Sequence, residues 1–103
     1  MNRTRFTFVF FAKKAKLLKN GEAPICLRIT VNGIAVESQI KRSVKPDLWN
    51  QKTELCSGRD RKSVETNEYI RMLKLKILTV HRELELSGAH FTARLIMNKV
   101  YSA

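Results

Sequence analysis

The sequence predicts an α+β domain in which a three-stranded antiparallel β-sheet packs against a long C-terminal helix, followed by a further short helix. Three observations carry this reading. Phe6, Phe8 and Phe10 recur at period two; an Asn-Gly pair at 32–33 separates two alternating apolar runs; and Ile70, Leu73, Ile77, Val80 and Leu84 recur at helical spacing. At 103 residues the chain has room for one core that folds without staples.

The elements follow in order. Arg5 to Phe11 is aromatic and β-branched and reads as a strand with one strongly buried face. Lys13 to Glu22 holds four lysines and an Asn20-Gly21 pair, which marks an exposed connector with a turn. Ile25, Leu27, Ile29 and Val31 then alternate with Cys26, Arg28 and Thr30 until Asn32-Gly33, a strong hairpin signal. A two-residue turn there sets Val31 against Ile34, Ile29 against Val36, Leu27 against Ser38 and Ile25 against Ile40 on an apolar face. The other face receives Thr30 with Ala35, Arg28 with Glu37 and Cys26 with Gln39, with Lys41 one step beyond, and Cys26 half-exposed.

Pro46 suits the first position of a brief helical turn, and Trp49 is expected to close one edge of the core. Gln51 to Arg61 is polar and reads as a mobile loop. The segment Asp60 to Leu86 is the long helix, with Ser63 or Thr66 as its cap and Ser87-Gly88 as its stop. Met72, Leu75, Leu78 and Leu86 lie off its main apolar stripe. Thr92 caps a short last helix bearing Leu95, Ile96 and Val100.

Twenty Lys and Arg against nine Asp and Glu give a net charge of +11, with +8 of it in residues 1–45. Such a balance draws polyanions, nucleic acid first. No signal peptide or membrane-length apolar run is expected, so the reading is a cytoplasmic protein with free thiols. Cys26, Cys56, His81 and His90 form no close-spaced ligand pair, and the four glycines build no phosphate-cradling loop. Neither metal, cofactor nor small-molecule substrate is expected, and no nucleophile stands with a base to suggest catalysis.

The polar sheet face with its lysine-rich edges is the candidate site. Arg28 is the base-reading candidate, with Thr30 and Gln39 beside it, because a guanidinium donates two parallel hydrogen bonds to guanine. The alternative for Arg28 is a cross-strand ion pair with Glu37, and the two readings are compatible. Lys13, Lys14, Lys16, Lys19, Lys41, Arg42 and Lys45 are phosphate candidates as a set. Asn32 is a conformational residue of the turn.

The stretches Phe10 to Lys14, Lys19 to Gly33, Pro46 to Asn50, Asn67 to Ile70 and Phe91 to Ile96, in this order, make the chain similar to a known family. It resembles the amino-terminal arm-type DNA-binding domain of tyrosine recombinases, the Bacteroides-type phage and conjugative-transposon integrases. The resemblance implies a sheet that enters the major groove of arm sites, in a non-catalytic module of a recombinase whose further domains cut and rejoin DNA. It places the arm-binding domain at 1–88 and the start of a core-binding domain, or a tail, at 89–103. Tyr69 and Tyr101 match no part of the family's catalytic motif. Relatives often carry basic residues just after the hairpin turn, where this chain has Ile34 and Ala35, which shifts weight to Arg28 and the lysine-rich connector.

Two other readings stand beside duplex-DNA binding. A generic RNA-binding domain would hold single strands on exposed sheet aromatics, for which Phe11 is the one candidate. A protein-interaction module would use the surplus apolar residues of the long helix to contact other integrase protomers.

Overall fold

The computed structural model describes residues 4–102. Strands β1 (Phe6–Ala12), β2 (Ala23–Val31) and β3 (Ile34–Val44) form an antiparallel sheet in the order β1-β2-β3. A single 3-10 turn at Pro46–Leu48 leads into a two-stranded ribbon, β4 (Trp49–Asn50) with β5 (Leu55–Cys56). Helix α1 (Arg61–Ser87) and the shorter α2 (Ala93–Tyr101) complete the α+β architecture expected from the sequence.

The hairpin turn fixes the sheet. Asn32 and Gly33 both take positive φ, 51° and 83°, the backbone that a two-residue turn with the right twist demands. Asn32 is also tied to β1: its Oδ1 accepts the Arg5 N–H at 2.9 Å and its own N–H donates to the Arg5 carbonyl at 2.8 Å. The expected pairing runs from Val31↔Ile34 to Cys26↔Gln39 and then breaks. Pairing resumes at Pro24↔Ser43, so Ile40, Lys41 and Arg42 bulge opposite Ile25, and Lys41 takes φ 62°. Ile40 stays buried, but Lys41 does not continue the flat ladder as the sequence pattern suggested.

One sheet face carries Phe10, Ile25, Leu27, Ile29, Val31 and Ile40, all in the core, with Phe6, Phe8 and Val36 packed against them. Ile70, Leu73, Ile77 and Val80 of α1 cover this face, and Leu84 is half-buried, as the helical spacing predicted. Twenty-seven residues of helix span about 40 Å at 1.5 Å each, which sets the 46 Å long axis of the molecule. Helix α2 adds Ala93, Ile96, Met97 and Val100 to the same core, and Thr92 caps it by accepting the Leu95 N–H at 3.1 Å. Gly88, at φ 72°, ends α1.

The start of α1 differs from expectation. Asp60 is the N-cap residue; its carbonyl accepts the Val64 N–H at 3.0 Å and its carboxylate accepts the Ser63 hydroxyl at 2.7 Å. Ser63 and Thr66 lie buried in the first turns of the helix instead of capping it. Gly58 is required here, because a Cβ would fall 2.5 Å from the Ser63 hydroxyl.

Gln51 to Arg61, expected as a mobile loop, has defined structure because its polar groups have partners on β1. Glu54 accepts the Phe10 N–H at 2.8 Å, and Gln51 donates to the Phe10 carbonyl at 2.9 Å while accepting from the Trp49 indole at 2.8 Å. Trp49 is 7 % exposed and closes this end of the core. β1 is an edge strand, so these side chains satisfy backbone groups that no further strand reaches.

Ile77 sits at the centre of the sheet–helix contact with none of its side chain exposed. Ile77→Ala should lower the unfolding free energy by about 2–5 kcal/mol. Leu75→Ala, two residues away but on the solvent side, should shift it by no more than about 0.5 kcal/mol. Urea titration followed by far-UV circular dichroism measures both.

Candidate nucleic-acid interface

Because strands alternate, the face of the sheet turned away from α1 receives Thr7, Val9 and Phe11 from β1, Thr30, Arg28 and Cys26 from β2, and Ala35, Glu37 and Gln39 from β3. The pairing aligns them in three rows: Thr7-Thr30-Ala35, Val9-Arg28-Glu37 and Phe11-Cys26-Gln39. Arg28 occupies the centre of this grid.

Its guanidinium is held on two sides. Nε and Nη2 both donate to Glu37 Oε2, at 2.8 and 2.6 Å, and the guanidinium carbon lies 4.9 Å from the centroid of the Phe11 ring. Lys13, just past the end of β1, reaches Glu37 Oε1 at 3.3 Å. The Arg28 side chain keeps 45 % of its surface exposed despite these contacts. The Arg28–Glu37 pair expected from the sequence is therefore present, and it presents the arginine to solvent in one orientation.

Cys26 is 1 % exposed, not half-exposed as its place on the outer face suggested. The central strand is flanked on both sides, and this small side chain lies between Phe11 and Gln39 in its row. Burial raises its thiol pKa, so it remains a protonated packing group.

The other expected site residues distribute around this face. Thr30 and Gln39 lie on it. Lys14, Lys16 and Lys19 are exposed on the β1–β2 connector. That connector is shaped by Leu18 N–H to Glu22 carbonyl and Gly21 N–H to Leu18 carbonyl bonds of 2.8 and 2.9 Å, with Asn20 Oδ1 accepting the Glu22 N–H at 3.0 Å. Lys41 is exposed at the apex of the bulge, and Lys45 is exposed just after β3. Arg42 turns to the helix side, its guanidinium 4.3 Å from the centroid of Tyr69 on α1, and so stands apart from the grid.

Two contacts of the site are not legible in the sequence. Phe11, the stacking candidate, lies under the Arg28 guanidinium, a contact that crosses from one row to the next. The second carboxylate contact of Glu37, to Lys13, joins residues 24 positions apart that only the three-strand register brings together.

The candidate soft ligands do not converge: His81 stacks on Phe6 at 4.0 Å between ring centroids and meets Phe91 edge-on at 5.6 Å, while Cys56 lies buried in the β4–β5 ribbon. Among the described residues no three His, Cys, Asp or Glu side chains group as a metal site, and no helix is long and apolar enough to cross a membrane.

The model of the family described as Arm DNA-binding domain matches residues 10–97. The chain belongs to this family. The resemblance read from the sequence motifs is thereby confirmed over most of its length, from the second half of β1 into α2. No curated protein and no solved structure matches the chain. An arm DNA-binding domain is a non-catalytic DNA-binding module of integrase-type proteins, so DNA is the partner against which the grid and its flanking lysines are to be read.

Hydrogen bonding from Arg28, followed by that from Lys13, holds the Glu37 carboxyl below the usual carboxylate range. The pair therefore survives below the ordinary glutamate pKa and is lost only as pH falls through the depressed folded-state value. A carbon-detected NMR titration should place the Glu37 midpoint below that of free glutamate, and Arg28→Ala should raise it toward the ordinary value.

Proposed function

We propose that this domain is the arm-site-binding module at the amino-terminal end of a tyrosine-type site-specific recombinase from a mobile element, and that it reads duplex DNA with the outer face of its sheet in the major groove. The observation that carries the reading is the central Arg28, oriented by Glu37 and Phe11 and left open to solvent. Three strands spaced about 4.8 Å apart place the two outer ones about 10 Å apart, a width comparable to the major groove of about 12 Å.

In this arrangement Arg28 donates both outer N–H groups to one guanine, Thr30 and Gln39 reach the neighbouring base edges, and Lys13, Lys14, Lys16 and Lys19 neutralise phosphates along one side. Lys41, Arg42 and Lys45 stand near the far end of β3, toward a second stretch of backbone. Residues 1–88 carry the DNA-binding sheet and its long helix, and 89–103, whose helix α2 packs on the same core, are the start of a following core-binding domain or a tail. The recombinase acts in the cytoplasm, where Cys26 and Cys56 remain reduced, and this unit needs no cofactor.

The geometry favours duplex DNA over single-stranded RNA. Phe11, the one aromatic on the outer face, is half-buried beneath the Arg28 guanidinium, so it offers no free ring on which an unpaired base stacks.

Binding to a duplex from the ends of the parent element, compared with a scrambled duplex at several salt concentrations, tests the reading. Affinity should fall steeply with salt as phosphate contacts release counterions. Arg28→Ala should lose about 1–3 kcal/mol of discrimination between the two duplexes, whereas Lys16→Ala should weaken both alike and reduce the salt slope by about one. If both variants bind both duplexes as the parent does, the outer face is not the interface.

A further inference from the structure

Helix α1 has a second apolar stripe on the side away from the sheet. Val64, Met72, Leu75, Leu78 and Leu86 are 46, 51, 69, 50 and 81 % exposed. At about 100° per residue, Val64, Glu68, Met72, Leu75, Arg82 and Leu86 fall within an arc of about 80° that is centred opposite the core stripe, and Leu78 widens it to about 120°. A row of exposed aliphatic side chains along most of a helix is more than the scattered apolar surface every protein carries.

We propose that this face docks a second copy of the same chain, the two α1 helices lying antiparallel with Leu75 on the two-fold axis. In that register each residue meets the one equally far on the other side of the axis. Val64 faces Leu86 and Glu68 faces Arg82, each twice by symmetry, while Met72 and Leu78, about 60° to either side of Leu75, flank the Leu75 of the other copy on opposite rims. Leu75 thus meets its own copy with Met72 and Leu78 beside it, Val64 meets Leu86, and Glu68 meets Arg82.

Charge complementarity identifies the occupant. Among the described residues Glu68 and Arg82 make no ion pair within the chain, whereas Glu65, at the margin of the stripe, is paired on its own helix with Arg61 at 3.1 Å. Glu68 and Arg82 are paired by the antiparallel register; Arg71, also exposed and inside the wider arc, stands about 40° to the side of Leu75 opposite Thr79.

The contact is modest. A stripe about 33 Å long and one helix wide falls well short of the roughly 800 Å² per partner of a standard interface. Two copies each carrying +11 also repel. The dimer is therefore weak in free solution and is favoured when salt or bound DNA screens that charge.

Two measurements on the whole chain, both in about 0.3 M salt to screen the net charge, decide the matter. Under mild oxidation Leu75→Cys should cross-link to a dimer, because the two thiols meet at the axis. Leu86→Cys should not, since its two copies lie about 33 Å apart; the native Cys26 and Cys56 are buried and stay silent. In sedimentation equilibrium, Glu68→Arg and Arg82→Glu should each weaken self-association about tenfold or more. A mixture of the two variants should associate at least as well as the parent, because each then faces its opposite charge. Both variants change exposed helix positions, and circular dichroism confirms that they fold. Cross-linking of Leu75→Cys no faster than Leu86→Cys, or a mixture no better associated than either variant alone, overturns the proposal; the latter result would leave the stripe to a different protein.

Discussion

The turn at Asn32-Gly33 sets the register on which the rest of the molecule depends. Side chains on a strand alternate with period two, so a slip of one residue would exchange the apolar and polar faces of β2 or β3 completely. With the turn in place, Ile25, Leu27, Ile29 and Val31 all enter the core shared with the helices and Arg28 stands in the middle of the opposite face. The hydrogen bonds between Asn32 and Arg5 extend this control to β1, because they seat the start of that strand against the end of β2. One small element thus aligns all three strands, and both the core and the outer grid follow from it.

What could be read in advance was what is local. The two-residue turn, the α1 stripe from Ile70 to Val80, the Thr92 cap and the Gly88 stop each depend on residues within a few positions of one another, and each appears in the structure. The features that escaped are non-local. The bulge at Lys41 arises where β2 and β3 resume pairing at Pro24, a residue that can donate no ladder bond. Cys26 is buried because two strands flank it, and the Gln51–Arg61 stretch is ordered because Gln51 and Glu54 find partners more than forty positions away. Arg28 and Glu37 were legible as a pair; that Phe11 and Lys13 complete their surroundings depends on a three-strand register that no local pattern specifies.

The outer face also shows how a basic protein presents a single arginine. Glu37 is the one acid among the nine outward residues, and it is engaged by two cations, so the face keeps its positive character while Arg28 gives up little rotamer freedom on contact. Lys14, Lys16 and Lys19 beside it are exposed, with long side chains that many rotamers can aim. Orientation is thus concentrated at one residue and attraction is spread over many, a division that matches the separate demands of base and backbone contacts.

The side chains of Gln51 and Glu54 have a consequence for how this sheet meets other chains. A bare edge strand invites a stranger to pair with it, which is the route to strand addition and to ordered aggregates. Here the middle of the β1 rim is occupied at Phe10, and the bulge confines the straight part of the β3 rim to Ile34–Gln39. The sheet is left with a broad surface to recognise something and only a short seam along which it can be extended.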